Sequence, residues 1–237
     1  MYYKIFKMKG AYNMEEPIRQ NSPLVKKTTA VLFIIFFAMF IHFKPYEHNG
    51  EVIHGAAQMI FSLYNFIIYQ TLGIVHEGGH GVCYVLPCPE FIMVLNGTLF
   101  QWLFPFLIGY YYKRRGQMLG YYIGLFFLGM SMQYTAWYIS TSHEGLYMSA
   151  DKSFLGVDGY HDFNYMLSAL GLLEYERSIT FLTKAASYIV MFYSVIAMYL
   201  FAFLSSPLTS KSRLSQRQRR TQQARKSERD DAGFKEE

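Results

Sequence analysis

Long apolar stretches separated by short polar links run along most of this chain. Five of them have the length and composition of helices that cross the ~30 Å hydrocarbon core of a bilayer. They span residues 28–43, 52–86, 91–112, 118–141 and 179–204. A shorter apolar stretch, 163–173, follows the longest polar segment inside this region. The pattern predicts an all-α polytopic membrane protein with about five transmembrane helices and one short membrane-inserted helix.

The first two stretches have unusual lengths. Residues 28–43 are long enough for a signal sequence or a short spanning helix, but no small-residue cleavage site follows them. We therefore expect an uncleaved membrane helix. A straight helix over 52–86 would be roughly 50 Å long, which exceeds the bilayer core. It must project from the membrane, kink, or begin as an interfacial segment.

The polar ends of the chain bound the membrane region. Residues 1–27 mix basic, acidic and aromatic side chains and are expected to form a polar N-terminal tail. Residues 206–237 are rich in Lys, Arg, Gln, Ser and Glu, a composition that buries too little apolar surface to fold. The sequence therefore predicts a membrane helical domain at 28–205 and a disordered basic tail at 206–237.

Charge is scarce and unevenly distributed. The chain is 52% hydrophobic and 16% charged, with a net charge of +5. Its basic residues gather in the tails and in a loop at 113–115 rather than on a folded face, which argues against a nucleic-acid partner. Such segments are typical of topology determinants that lie against anionic lipid. We expect an integral protein of a plasma or inner membrane, with the lipid bilayer as a partner.

The second apolar stretch ends with a His-Glu-Gly-Gly-His sequence at residues 76–80. On a helix, His76 and His80 share one face and lie roughly 6 Å apart along the axis, so both imidazoles can reach one Zn²⁺. Glu77, beside the first His, is placed to take a proton from the attacking water. The motif predicts a zinc site with Glu77 as the catalytic base.

A catalytic zinc site usually has a third protein ligand. Two predicted crossings, 91–112 and 118–141, separate the motif from the polar segment that ends near residue 162, and an even number of crossings returns the chain to the same side. Asp158, His161 and Asp162 in that segment are therefore the candidate third ligands. The alternative is that each Asp caps a turn or a helix.

These residues resemble the site-2 protease-like (peptidase M50-type) intramembrane metalloproteases over residues 60–175. The resemblance rests on the His-Glu motif in a membrane helix and on acidic residues about 80 positions later, before another membrane-inserted helix. It implies that His76, His80 and a downstream Asp bind zinc while Glu77 activates water. Asp158, followed by Gly159, is the counterpart of the family's Asp-Gly pair, although the usual Pro or Leu before it is missing.

Gln101 is a further candidate for the site. The stretch 97–101 resembles the family's Gly-containing, amide-bearing segment, with Gln where Asn is usual. In one interpretation Gln101 is an active-site amide that holds the substrate strand or the oxyanion. In the other it is a side chain bonded across two helices.

The expected function is that of a membrane-embedded zinc metalloprotease that hydrolyses peptide bonds of membrane proteins or peptides. A rival is a non-catalytic membrane protein that binds or transports metal, since the chain has seven His. Divalent-ion transport normally needs carboxylates inside several spanning helices, and these apolar stretches hold almost none. A pseudo-protease that keeps the fold as a binding partner is a third possibility, against which the intact Glu77 argues.

Cys83 and Cys88 follow the motif directly. A Cys-x4-Cys pair can close a small disulfide or add soft metal ligands, but we expect two ordinary buried thiols.

The basic segments leave the orientation open. The loop at 113–115 and the C-terminal tail fall on one side, and placing both in the cytoplasm puts the metal site towards the outer face. Five crossings then leave the basic N-terminal tail outside, against the same rule. Either 28–43 does not span as expected or another crossing is misassigned.

Overall fold

The structure is a computed structural model that describes residues 21–46, 55–148 and 159–204. Most of the expected N-terminal tail, the expected tail at 206–237 and Asp158 lie outside the described residues. Within the described ranges the elements are α1 Pro23–Phe43, α2 Ala56–Ile68, α3 Ile74–Val85, α4 Glu90–Arg114, α5 Met118–Ser140, β1 Tyr147–Met148, β2 Gly159–Tyr160, α6 Asp162–Ala169 and α7 Glu176–Tyr199. The two short strands pair antiparallel.

Four segments of the described ranges are long and apolar enough to cross a membrane: α1, the continuous helix Ala56–Val85, α4 and the segment Leu173–Leu204. The predicted all-α membrane class is therefore confirmed. The remaining expected crossing, α5, has 23 residues and is not among these four, and its buried residues include glycine, serine, glutamine and threonine. It packs between α4 and α7 at the centre of the bundle.

The first helix begins earlier than its apolar pattern indicates. The sequence predicts a polar tail up to residue 27, whereas α1 begins at Pro23. The Ser22 hydroxyl accepts a hydrogen bond from the Val25 N–H at 3.3 Å, and proline fits the first turn because it lacks an N–H that would need a partner. Lys26 and Lys27 are consequently part of α1.

A π-helical turn, Tyr69–Gly73, joins α2 to α3 just before the His-Glu motif. A π turn carries one extra residue and breaks the regular helical hydrogen bonding. Within it, the Thr71 hydroxyl donates to the Ile67 carbonyl at 2.6 Å. The long apolar stretch is therefore a helix whose regular hydrogen bonding is interrupted just before the His-Glu motif.

Glycines and small polar side chains bring the central helices close together. A Cβ at Gly79 of α3 would overlap the backbone of α4, and a Cβ at Gly124 of α5 would lie 2.5 Å from the Gly109 Cα of α4. Ser187 of α7 donates to the Gly129 carbonyl of α5 at 2.8 Å. Close backbones and hydrogen bonds of this kind stabilise helix pairs in lipid. They place α3 and α4 in the direct contact that the site needs.

Aromatic side chains attach α2 to α1. Phe36 and Phe40 of α1 lie 6.1 and 6.4 Å from the Phe61 ring of α2. The hydroxyls of Tyr46 and Tyr64 are hydrogen-bonded at 2.9 Å. These contacts fix the first half of α2 against the second half of α1.

Candidate metal site

The side chains of His76, His80 and Asp162 converge in the interior of the protein. Asp162 Oδ2 lies 2.8 Å from His76 Nε2 and 3.3 Å from His80 Nε2. One potential ligand atom from each residue falls within 4.8 Å of the others. The two histidines come from α3 and the aspartate from the first turn of α6, 82 residues beyond His80 in the chain. α3 and the start of α6 therefore meet. The two helices between them, α4 and α5, return the chain to the same side and so allow this contact.

The second nitrogen of each imidazole is held by an oxygen acceptor. His76 Nδ1 lies 3.1 Å from Gln101 Oε1, and His80 Nδ1 lies 2.8 Å from the Met93 carbonyl oxygen. Both oxygens accept, so each Nδ1 carries a proton, and each Nε2 is the ring nitrogen that faces Asp162 and the shared point. Metal-binding histidines are normally oriented in this way.

The donor set fits zinc. Two imidazole nitrogens and one carboxylate oxygen are ligands that Zn²⁺ prefers, and in a tetrahedral zinc site they would lie about 3.3 Å from one another. The two nitrogen–oxygen distances of 2.8 and 3.3 Å are close to that value. A shift of a few tenths of an ångström would open the cluster enough to hold the ion.

Gly97 of α4 leaves the space beside these nitrogens open. A Cβ at this position would lie 2.5 Å from His80 Nε2 and 2.8 Å from His76 Nε2. Any side chain there would crowd the same atoms that face the shared point. The α4 backbone can therefore form one wall of the site only because residue 97 is glycine.

Gln101 is buried and only half satisfied. Its Oε1 accepts from His76, whereas its Nε2 is a buried donor without a hydrogen-bond partner among the described residues. An unsatisfied buried amide is costly, and such groups often have a functional role. The residue bonds across helices, as one interpretation of the sequence expects, and also keeps a free donor close to the His76 ligand.

Asp162 is held by its neighbours as a carboxylate. Its backbone N–H donates to the Tyr138 hydroxyl at 3.2 Å. Burial raises the pKa of its carboxyl group, but hydrogen bonds and charge interactions with His76 and His80 outweigh burial and hold the pKa below its usual value. The ionised form is the form that binds a metal.

His161, expected from the sequence as a candidate ligand, does not join the cluster. Its Nδ1 accepts from the Asn164 N–H at 3.4 Å and thereby caps α6. Its Nε2 lies 3.0 Å from the Thr141 hydroxyl, and its ring stacks on Tyr138 at 4.4 Å. The capping position turns the His161 ring towards α5 instead of α3, so His161 is not one of the three converging residues. Asp158 lies outside the described residues.

Glu77 lies at the edge of the site. It follows His76 on α3 and is half-buried, and its charge acts on His80 and on the Tyr138 hydroxyl. It does not belong to the group of converging ligand atoms. Glu77 is therefore a half-buried carboxylate next to a candidate ligand in sequence and outside the ligand group itself.

Tyr138 was not a candidate from the sequence. Its hydroxyl accepts from the Asp162 N–H, its ring stacks on His161, and the His76 ring lies 6.2 Å away. Tyr138 thus connects α5 to the start of α6 and to His76 of α3. Tyrosines are so common in this chain that nothing in the sequence separates this one from the others.

Cys83 and Cys88 form a disulfide at the end of α3. The expectation of two free thiols is wrong. The helix ends at Val85 and the chain turns through Pro87, which brings the second cysteine back to the first. Asn96 of α4 donates to Cys83 Sγ at 3.1 Å, so the bridge is attached to the helix that carries Gly97 and Gln101.

Comparison with models of known protein families, with curated proteins and with solved structures gives no match. The chain is an all-α membrane protein in which two histidines of one helix and an aspartate of another form a group able to bind a metal.

Proposed function

We propose that this protein is a membrane-embedded zinc metalloprotease of a plasma or inner membrane. The observation that carries the proposal is the convergence of His76 Nε2, His80 Nε2 and Asp162 Oδ2, with both Nδ1 atoms held by oxygen acceptors. These three atoms face one point, as the ligand atoms of a shared metal ion do. Glu77 beside this cluster adds the base that hydrolysis requires.

His76, His80 and Asp162 would hold the ion. Bound Zn²⁺ supplies a Lewis acid that polarises a carbonyl group and makes water acidic enough to lose a proton near neutral pH. His76 and His80 would bind the ion through Nε2, because their Nδ1 protons are donated to Gln101 and Met93. Asp162 contributes one negative charge, which offsets half of the charge of the ion.

Glu77 moves the proton. It accepts a proton from the attacking water while the water oxygen forms a bond to the peptide carbonyl carbon. It then delivers the proton to the amide nitrogen as the carbon–nitrogen bond breaks, so that an amine and a carboxylic acid leave. A single carboxylate can perform both transfers because it is regenerated after the second one.

Gln101 positions the reacting carbonyl. Its Nε2 group is a buried donor without a partner among the described residues, whereas its Oε1 is occupied by His76. Donation from Nε2 stabilises negative charge as it develops on the carbonyl oxygen. The same side chain therefore orients one ligand and binds the substrate.

Access to the site is asymmetric. The His76 side chain is 2% exposed, the Asp162 side chain 10% and the His80 side chain 16%. The substrate strand approaches from the side of His80 and Glu77. The surrounding surfaces of α3 and α4 are apolar, with Ile74, Tyr84 and Leu99 exposed, so the proposed substrate is a peptide segment anchored in or at the membrane.

The test is a cleavage assay with the purified full-length protein in lipid vesicles and a set of membrane-anchored peptides. We expect cleavage that stops when a zinc chelator is added and returns when Zn²⁺ is restored. Cleavage that is insensitive to the chelator would contradict the zinc mechanism. Bound zinc without cleavage of any peptide would favour the rival, a non-catalytic metal-binding membrane protein or pseudo-protease.

A further inference from the structure

Aromatic rings hold basic side chains at one end of the helical bundle, which we call the basic end. Lys26 and Lys27 of α1 lie over the rings of Phe201 and Phe203, at 4.7 and 5.5 Å, just beyond α7. At the turn between α4 and α5, two more cations lie over tyrosine rings: Lys113 over Tyr121 at 4.6 Å and Arg115 over Tyr111 at 4.8 Å. Lysine and arginine side chains that lie over aromatic rings are typical of a membrane interface.

Contacts between α5 and α7 show that these cations share one end. The Ser194 hydroxyl donates to the Tyr122 carbonyl at 2.6 Å, and the Tyr122 and Phe201 rings lie 6.2 Å apart. The start of α5 therefore lies beside the end of α7. Since Lys26 lies over Phe201, the start of α1 is there as well.

The opposite end, which we call the metal end, carries the disulfide and the metal-binding group. The Cys83–Cys88 bridge lies between the end of α3 and the start of α4. Acidic residues are frequent at this end: Glu90, Glu144, Glu174 and Glu176. Glu176, at the start of α7, pairs with His143 at 3.0 Å.

The helix formed by α2 and α3 is attached to the metal end at two places. Near its beginning, Tyr64 is hydrogen-bonded to Tyr46, whose ring lies 5.9 Å from Tyr134 in the last turns of α5. Its last turn carries Cys83 of the disulfide. The chain therefore enters and leaves the bundle on one side through this helix, although its length would allow a crossing.

Four crossings remain: α1, α4, α5 and α7. Four is an even number, so the start of α1 and the end of α7 belong to the same side, in agreement with Lys26 over Phe201. The conflict that five crossings create, with a basic N-terminal segment on the wrong side, disappears.

We propose that the basic end lies against the anionic cytosolic leaflet and that the metal end faces the oxidising, non-cytosolic compartment. Two independent features support this orientation. Basic residues next to membrane helices stay on the cytosolic side, where they also attract anionic lipid. Disulfides form and persist outside the reducing cytosol. The four aromatic-held cations and the one disulfide occupy opposite ends.

The orientation also defines the substrate side. This step rests on the proposed proteolysis: the site takes segments of membrane-anchored proteins that it reaches from the non-cytosolic face. Glu77 and His80, the more open part of the site, lie within two turns of Cys83 and thus close to that face.

Labelling of single cysteines tests the orientation without any need for activity. In a Cys83→Ser, Cys88→Ser background, Asn21→Cys reports on the basic end and Glu174→Cys on the metal end, since both positions are exposed. Neither change removes a basic residue, and acidic residues contribute little to topology. In sealed vesicles with the cytosolic face outward, a membrane-impermeant maleimide should label Asn21→Cys at once and Glu174→Cys only after detergent is added. Labelling of Glu174→Cys in sealed vesicles would overturn the proposal.

The unmodified chain provides a second measurement. Free thiols are blocked during lysis, and the protein is then reduced. A polymer-linked maleimide reacts with the newly released thiols, and the gel shift counts them. We expect two additions after reduction and none without it, because both cysteines are in the disulfide. Cysteines that are already blocked before reduction would contradict an oxidising environment.

A pair of substrates separates the orientation from the proteolysis. The same cleavable segment is placed at the cytosolic or the non-cytosolic end of one membrane helix. We expect cleavage of the second substrate alone, and cleavage of the first alone would overturn the substrate side. If neither is cleaved while the labelling pattern is as expected, the proposed proteolysis fails and the orientation stands.

Discussion

Replacing Glu77 with glutamine is expected to abolish peptide hydrolysis and to leave the metal content unchanged. Glutamine has nearly the same shape but cannot accept the proton of the attacking water. Loss of a general base lowers a rate by on the order of 10³-fold. Glu77 is half-buried and is not one of the converging ligands, so Glu77→Gln should neither unfold the protein nor release the metal. The measurement is the cleavage rate together with zinc per chain on the same preparation.

Glu174→Gln is the matched control for this variant. Glu174 is an exposed carboxylate at the metal end and lies outside the site. We expect wild-type rates for Glu174→Gln. A Glu77→Gln variant that cleaves at the wild-type rate would show that another group moves the proton. If zinc is lost together with activity, Glu77 acts on the metal rather than on water.

Replacing Gly97 with alanine is expected to release the metal. The added Cβ would lie 2.5 Å from His80 Nε2 and 2.8 Å from His76 Nε2, and real Cβ atoms do not approach other atoms so closely. Either the imidazoles rotate away from the shared point or α4 moves back from α3. Disturbing the orientation of metal ligands typically weakens affinity by about 10- to 100-fold, and here both histidines are displaced at once. Competition with a zinc-binding dye measures the change in affinity.

Gly81→Ala is the matched control. Gly81 lies on α3, next to His80 in sequence, and a Cβ there meets no atom within 4 Å. Alanine favours a helix over glycine by about 1 kcal/mol, so this variant should bind zinc like the wild type and be equally or more stable. Equal zinc affinity of Gly97→Ala and the wild type would contradict the proximity of the α4 backbone to the ligand atoms.

Much of the fold follows from the sequence because lipid imposes simple requirements. A membrane segment must satisfy its backbone hydrogen bonds internally, so apolar runs become helices with few alternatives. The start of α1 could not be found in the same way, because a cap at Ser22 and a proline decide it rather than hydrophobicity. The π turn at Tyr69–Gly73 also has no signal in an apolar pattern.

The site was predictable in part. Two histidines four residues apart share a helix face for geometric reasons, and counting crossings brings the later acidic segment to the same side. The choice between His161 and Asp162 depends on which of the two neighbouring residues caps α6, and Asp is the residue type that the N-cap position normally favours. Only the orientation of the first turn of α6 separates them.

Other parts of the site depend on contacts between distant residues. Gly97 resembles every other glycine in the chain until α4 is seen against the imidazoles. Tyr138 acts through the stacking of its ring on His161 and through its bond to the Asp162 N–H, both of which join separate helices. The disulfide requires the turn through Pro87, which composition does not reveal.

The most direct test of the account is the zinc content of the purified wild type beside Asp162→Asn and His161→Asn. Asparagine at 161 can still cap α6, whereas asparagine at 162 keeps the shape of the ligand and removes its charge. The account predicts about one zinc ion per chain in the wild type and in His161→Asn, as expected for a single three-ligand site. It predicts loss of most of that zinc in Asp162→Asn. A wild type without zinc, or an Asp162→Asn variant that keeps it while His161→Asn loses it, would contradict the proposed site.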